Sequence, residues 1–184
     1  MAKLVSTLGT SPGGIFETYM NLREGNYEGD DVKPIDIKEV YVIRTSDKSV
    51  EFAWKLIKAI FSCCKREEVT ISDIPLTMQD INSSEDFKKF RKEIFSRLNV
   101  GDYVDFTGGR KAMSVAAALA AREVKAHVIT TIIPQNEYNR ISEIIRGLKT
   151  MEDLVDRAGR GDCETIKESI CKLVSPEAKT IMLI

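Results

Sequence analysis

The apolar positions of this chain change period repeatedly, and each change predicts an element. Leu4-Val5-Ser6-Thr7-Leu8 is a short apolar run read as a first strand. The loop Gly9-Thr10-Ser11-Pro12-Gly13-Gly14 follows, and then Ile15, Phe16, Tyr19, Met20 and Leu22 recur at helical spacing. The polar stretch from Glu24 to Pro34 reads as an exposed connection. Glu39–Arg44 predicts a second strand, and Ser46 or Asp47 can cap a helix carrying Val50, Ala53, Trp54, Ile57, Ile60 and Phe61. Val69–Ile74 predicts a third strand, stopped by Pro75. Ser83 or Ser84 caps a helix with Phe87, Phe90, Ile94 and Leu98 on one side; its lysines and arginines read as a solvated face. Tyr103–Phe106 predicts a fourth strand. The loop Thr107-Gly108-Gly109-Arg110-Lys111 comes next, followed by a small-residue helix over Ala112–Ala121 and a fifth strand over Ala126–Ile133.

Beyond Pro134 the pattern turns mostly helical, through residue 178. Gln135 to Arg140 reads as a loop, and Ile141, Ile144, Ile145 and Leu148 form one stripe. Thr150 can cap a helix with Leu154 and Val155, a third helix carries Ile166, Ile170 and Leu173, and Lys179–Ile184 reads as a last strand. Alternating strands and helices predict one α/β domain over residues 1–184, a Rossmann-like, mostly parallel sheet with helices on both faces, because parallel strands need crossover connections. Ligands in such sheets bind beyond the C-terminal strand ends, where strand order reverses. With a Rossmann-like order, strands one and four are the central neighbours, and the two glycine-rich loops follow those two strands.

Composition narrows the chemistry. The 184 residues are 43% apolar and 30% charged, and 27 basic against 28 acidic side chains leave a net charge of -1. There is no basic excess to grip a long nucleic acid, so such a partner must be small or held locally. No apolar run approaches the ~18 residues of a membrane span. The start reads as a strand and glycine loop rather than a secretory signal, which leads us to expect a cytoplasmic protein with reduced cysteines. Cys63, Cys64, Cys163 and Cys171 include no CxxC pair, so no zinc site is expected, and Cys63-Cys64 at a helix end reads as buried thiol. The single histidine, His127, lies in an apolar stretch and reads as a satisfied strand residue. No metal or other cofactor is expected.

The two loops suit an anion. Glycines permit close backbone approach, and amides opening the following helices favour negative charge. Thr10 and Ser11 add hydroxyl donors. Arg110 can grip a phosphate at two points, and Lys111 acts as a point charge. Neither GxGxxG nor GxxxxGK[ST] occurs, which argues against a conventional dinucleotide enzyme or a mononucleotide kinase.

The pair Ser-Thr-Leu-Gly-Thr-Ser-Pro-Gly-Gly and Asp-Phe-Thr-Gly-Gly-Arg-Lys-Ala-Met resembles the CRISPR-associated Rossmann fold (CARF) domain, and more closely the stand-alone archaeal ring nucleases built on it. The resemblance implies a homodimer whose two-fold axis runs through the ligand site. It implies cyclic tetra-adenylate as substrate, cut without metal by attack of a ribose 2′-hydroxyl. The products are linear di-adenylates ending in 2′,3′-cyclic phosphate, so the messenger of type III CRISPR immunity is removed. On this resemblance Ser11 and Lys167 are the candidate catalytic residues, with Lys172 and Lys149 as competitors for the lysine's role. Gly9, Thr10, Ser11, Gly13, Gly14, Thr107, Gly108, Gly109, Arg110 and Lys111 are the candidate ligand-binding residues, joined by Tyr138 as a stacking group. Arg44 and Thr45 are weaker base-contact candidates, and the helical part over 134–178 is expected on or near the ligand. The competing reading is a module that binds the cyclic oligoadenylate without cutting it.

Overall fold

A computed structural model describes residues 1–65 and 68–184. In chain order the elements are β1 (Ala2–Thr7), α1 (Gly13–Glu24), β2 (Ile37–Arg44), α2 (Lys48–Cys63), β3 (Thr70–Pro75), α3 (Ser84–Arg97) and β4 (Tyr103–Asp105). They continue with α4 (Lys111–Val124), β5 (His127–Ile132), α5 (Gln135–Leu148), a 3-10 turn (Lys149–Met151), α6 (Glu152–Gly159), α7 (Lys167–Cys171) and β6 (Lys179–Met182). The strands form one sheet in the order β3-β2-β1-β4-β5-β6. The first five strands pair in parallel, and β6 joins β5 antiparallel. Strand order therefore reverses between β1 and β4, as the Rossmann-like reading requires.

Alternation along the strands sends consecutive side chains to opposite faces of the sheet. Leu4 joins an apolar core with Ile15 and Tyr19 of α1 and Leu56, Ile57 and Ile60 of α2. Val5, the next residue, joins a second core with Phe90 and Ile94 of α3 and Ala116, Ala117 and Ala120 of α4. The small side chains of α4 let it lie against the sheet beside the second glycine loop. Asp47 rather than Ser46 caps α2, accepting from the Ser49 and Val50 amides, and Ser83 caps α3 through the Asp86 amide.

Two expectations change. Gln135–Arg140 is the opening of α5, not a loop. Pro134 stands at its N-cap in extended conformation, and its carbonyl accepts from the Glu137 and Tyr138 amides at 3.0 and 3.1 Å. These turns are almost wholly solvent-facing, so they carry no apolar stripe for the sequence pattern to register. The cysteines are not thiols: Cys63 is bonded to Cys163 and Cys64 to Cys171. Neighbours at a helix end diverge by roughly 100°, so each reaches its own partner, one just before α7 and one at its end. His127 is satisfied as expected, stacked on Tyr103 with centroids 4.8 Å apart. No helix among the described residues is long and apolar enough to cross a membrane.

The disulfides span 100 and 107 residues of sequence and tie α6–α7 to the far end of α2. The first constrains the unfolded chain strongly; given the first, the second closes only a short ring. Replacing Cys63 and Cys163 by serine should lower unfolding free energy by about 2–5 kcal/mol in denaturant titration. Unchanged stability would show that the crosslink restrains little.

Candidate functional site

The two glycine loops meet backbone to backbone at the carboxyl ends of β1 and β4. A methyl added to Gly9 would lie 2.6 Å from the Gly109 amide nitrogen, and one on Gly108 only 2.8 Å from the Gly9 nitrogen. Gly109 also has φ +93°, a backbone conformation that side chains resist. Thr7 Oγ1 donates to the Gly108 carbonyl at 2.6 Å and crosslinks the loops from below.

Beneath this junction lies a buried polar network. Asp105, fully buried at the end of β4, accepts from the Thr107 amide at 2.9 Å, from the Thr107 hydroxyl, and from Ser6 Oγ at 3.2 Å. Thr107 Oγ1 accepts from the Thr131 amide at 2.7 Å, so the second loop is bound to both β4 and β5. Thr131, Thr18 and Thr180 continue the network through hydroxyl contacts of 2.6 Å. Burial pushes Asp105 up to about 6, although the Thr107, Thr18 and Ser6 donors oppose the shift.

Above the junction opens a cleft of about 620 Å³. Gly9, Thr10, Ser11, Thr107, Gly108, Gly109, Arg110 and Tyr138 all line it, so residues far apart in sequence share one surface. Gly13 and Gly14 line a smaller cavity behind it, together with Ser11 and Tyr138. Lys111 is exposed at the start of α4, beside the cleft wall. Thr45 contributes to the lining, whereas Arg44 is withdrawn: it is buried and doubly hydrogen-bonded to Asp73 at 2.7 and 2.9 Å.

The helix starts carry a further distinction. α2 and α3 have side-chain caps, whereas α1 and α4, which open at the two loops, share with α5 a start without a capping side chain, and at α4 the Arg110 amide donates to Met113 Sδ at 3.5 Å. Their first amides are thus left for solvent or an anion, with the helix dipole favouring the anion. Ser11 does not cap α1, whose N-cap is Pro12, and the Ser11 hydroxyl makes no hydrogen bond within the described residues. Arg110 is 2.6 Å from Asp80 across the cleft, so an incoming phosphate would compete with a carboxylate for it.

Lys167 does not belong to this cleft. It lines a separate depression with Cys64, Glu168, Cys171 and Lys172, at the end of α2 remote from Asp47 and Ser49. Sixteen residues of α2 separate the two ends, about 24 Å at the helical rise. Lys172 shares that depression, whereas Lys149 lines a side cavity with Thr10, Ser11 and Tyr138. The expectation for the 134–178 part therefore divides: α5 borders the cleft, and α6 and α7 pack along α2. Sequence reasoning also passed over Gln79, Asp80 and Asn82, which form one wall. They follow β3 at the same carboxyl edge as the glycine loops, and that position was the available signal.

A six-stranded Rossmann-like sheet with a polar cleft at its switch point defines a doubly wound α/β protein. No protein-family profile matches the chain. A CRISPR system ring nuclease of Saccharolobus solfataricus is 43% identical over 185 residues, covering 98% of each chain. The chain belongs to the CRISPR ring nuclease family.

Glu17, behind the first loop, also has a raised pKa of about 7, mainly through burial, with Asp105 and Glu137 adding to it. Both carboxyls hold their protons more tightly folded than unfolded. The native state therefore binds more protons from about pH 4 to 7, and stability declines as pH rises through that window. The melting temperature should fall between pH 4 and 7, and Asp105→Asn, which keeps an oxygen acceptor, should flatten the decline. Gly108→Ala should lower the melting temperature by several degrees, consistent with an overpacking cost of roughly 1–3 kcal/mol. A melting temperature unmoved by that change would mean the loops do not touch as described.

Proposed function

We propose that the protein is a ring nuclease that cleaves cyclic tetra-adenylate to linear di-adenylates with 2′,3′-cyclic phosphate ends, without a metal ion. The family membership supports the ring-nuclease activity, and the observation that carries the chemistry is the convergence of Ser11, both glycine loops and Arg110 in one cleft. In each cut a ribose 2′-oxygen bonds to the adjacent phosphorus and loses its proton. The bond from phosphorus to the 5′-oxygen breaks, and that oxygen gains a proton. Two cuts give two dinucleotides. The substrate supplies the nucleophile, so the protein's work is to bend the ring into line and to stabilise charge on the phosphoryl oxygens.

In this reading Ser11 hydrogen-bonds the 2′-hydroxyl or the phosphate, where its hydroxyl is uncommitted. Arg110 and Lys111 hold phosphates, with Thr10, Thr107 and the loop amides beside them. Tyr138, 44% exposed at the rim, stacks on an adenine or covers the ring. Lys167 has no contact with the reaction within one protomer.

The cleft is within the roughly 300–1,000 Å³ range of drug-sized sites, and a tetranucleotide exceeds it. Two clefts facing each other would hold the ring symmetrically, which favours a homodimer. Val115 and Leu119, 52% and 40% exposed, form an apolar pair on α4 four residues apart. Since α4 begins at the second loop, packing two copies along it would bring the clefts together. Val115→Asp with Leu119→Asp should give monomers in analytical ultracentrifugation and abolish cleavage. A dimer that persists would exclude α4 as the contact.

Labelled cyclic tetra-adenylate incubated with the protein in EDTA should become linear products. Tight binding with an intact ring would mean a binding module instead. Ser11→Ala should slow single-turnover cleavage by about 100-fold while changing affinity little; equal losses in both would reduce Ser11 to a binding group. Arg110→Ala with Lys111→Ala should weaken binding roughly 100-fold and shallow its salt dependence. Unaltered affinity would remove both from the site.

A further inference from the structure

The cavity behind the first loop, about 130 Å³, is lined by Ser11, Gly13, Thr107, Thr131, Tyr138 and a carboxyl that the proposed reaction does not use, Glu17. Glu17 lies one turn into α1 and is 5% exposed. Its Oε2 accepts from the backbone amide of Ser175 at 2.7 Å. The Ser175 hydroxyl donates to Glu137 Oε1 at 2.7 Å. Glu137 receives Arg140 Nε and Nη2 at 2.7 and 3.0 Å, and Arg140 Nη1 donates to the Lys172 carbonyl at 2.6 Å. The Leu173 carbonyl presses so closely on Gly13 that a methyl there would lie 2.4 Å from it.

These bonds form a polar clasp joining three parts of the chain: α1, α5 and the segment over 172–175. Two of those parts border the cleft. α1 carries the Ser11 loop at its start, and α5 carries Tyr138 immediately after Glu137. Buried hydrogen bonds across 158 and 38 residues of sequence have no local substitute.

We infer that Glu17 is a positioning residue of the cleft, holding the Ser11 loop and Tyr138 in fixed relation through its bond to Ser175 and the clasp with Glu137 and Arg140. The charged groups facing it are Asp105 from β4 and Glu137 and Arg140 from α5. Arg140 is the one cation among them, and Glu137 already engages it in a forked pair that holds Glu137 below its ordinary carboxylate value. The Ser175 amide favours an ionised Glu17, but burial outweighs it, so a neutral Glu17 suits this setting. An ionised one adds charge beside Asp105 and Glu137, and burial places that change near pH 7. The clasp should therefore loosen at alkaline pH, and α5 should loosen with it.

The inference rests on the ring-nuclease reading only for its activity readout, so two measurements are paired. Glu17→Gln keeps an oxygen acceptor for the Ser175 amide and stays neutral at every pH. Single-turnover cleavage of cyclic tetra-adenylate by the unaltered protein should fall about tenfold from pH 6 to 8.5 as Glu17 ionises. Glu17→Gln should vary by no more than about twofold over the same range. In parallel, hydrogen exchange of a peptide over residues 135–141, corrected for the intrinsic pH dependence of exchange, should quicken above pH 7 in the unaltered protein and not in Glu17→Gln. Ser175→Ala, which cuts the link to Glu137 but leaves the Glu17 acceptor in place, should quicken that exchange at all pH values. Superimposable pH profiles for Glu17→Gln and the unaltered protein, or equal exchange in both at pH 8.5, would overturn the inference. If the unaltered protein leaves the ring intact, that counts against the ring-nuclease reading, and the exchange measurement alone decides the clasp.

Discussion

The structure depends on a backbone contact that no side chain could replace. The loops after β1 and β4 approach until Gly9 and Gly108 are each within a methyl's reach of the other's main chain. Parallel neighbours of a sheet end side by side, so their following loops are already close; removing both Cβ atoms lets them touch. The contact fixes the starts of α1 and α4 at the same edge of the sheet. The edge that the two loops present is therefore largely main chain, with Ser11 and Arg110 added to it.

Such a contact needs a rigid floor. Asp105 provides it by gathering the Thr107 and Ser6 donors around one buried carboxylate, while Thr107 also holds the Thr131 amide. A buried acid is a costly choice for a core unless its oxygens are satisfied, and here three donors converge on it. The arrangement fixes the second loop in place rather than leaving it to fluctuate as an exposed turn would.

The two ends of the sheet carry different groups. At the carboxyl end, Ser11, Asp80, Thr107 and Arg110 line the cleft. At the opposite end, the disulfides bind the end of α2 to α7 and the segment just before it, where Lys167 and Lys172 sit. α2 spans the distance between them, capped by Asp47 at one end and crosslinked at the other. α5 belongs to the first end and connects to α1 through Glu137, Ser175 and Glu17.

The sequence alone determined the alternation of strands and helices, the single sheet with helices on two faces, and the placing of both glycine loops at the switch point. These follow from local periodicity and from the geometry of parallel crossovers, which act within short windows of the chain. The resemblance of the two loops to the ring nucleases was equally legible, since their residues are contiguous. Tertiary structure decided the rest. The first turns of α5 look like a loop because their buried member, Glu137, is held by hydrogen bonds rather than apolar contact. Cys63 and Cys64 find partners about a hundred residues away, a pairing that spacing does not encode. Lys167 lies beside an apolar stripe that could have faced either end of α2, and only packing chose the far one. Gln79, Asp80 and Asn82 gained their place in the cleft from the direction of β3, and Arg44 lost its own to Asp73. Periodicity reports which face of an element is buried; it carries no information about what that face meets.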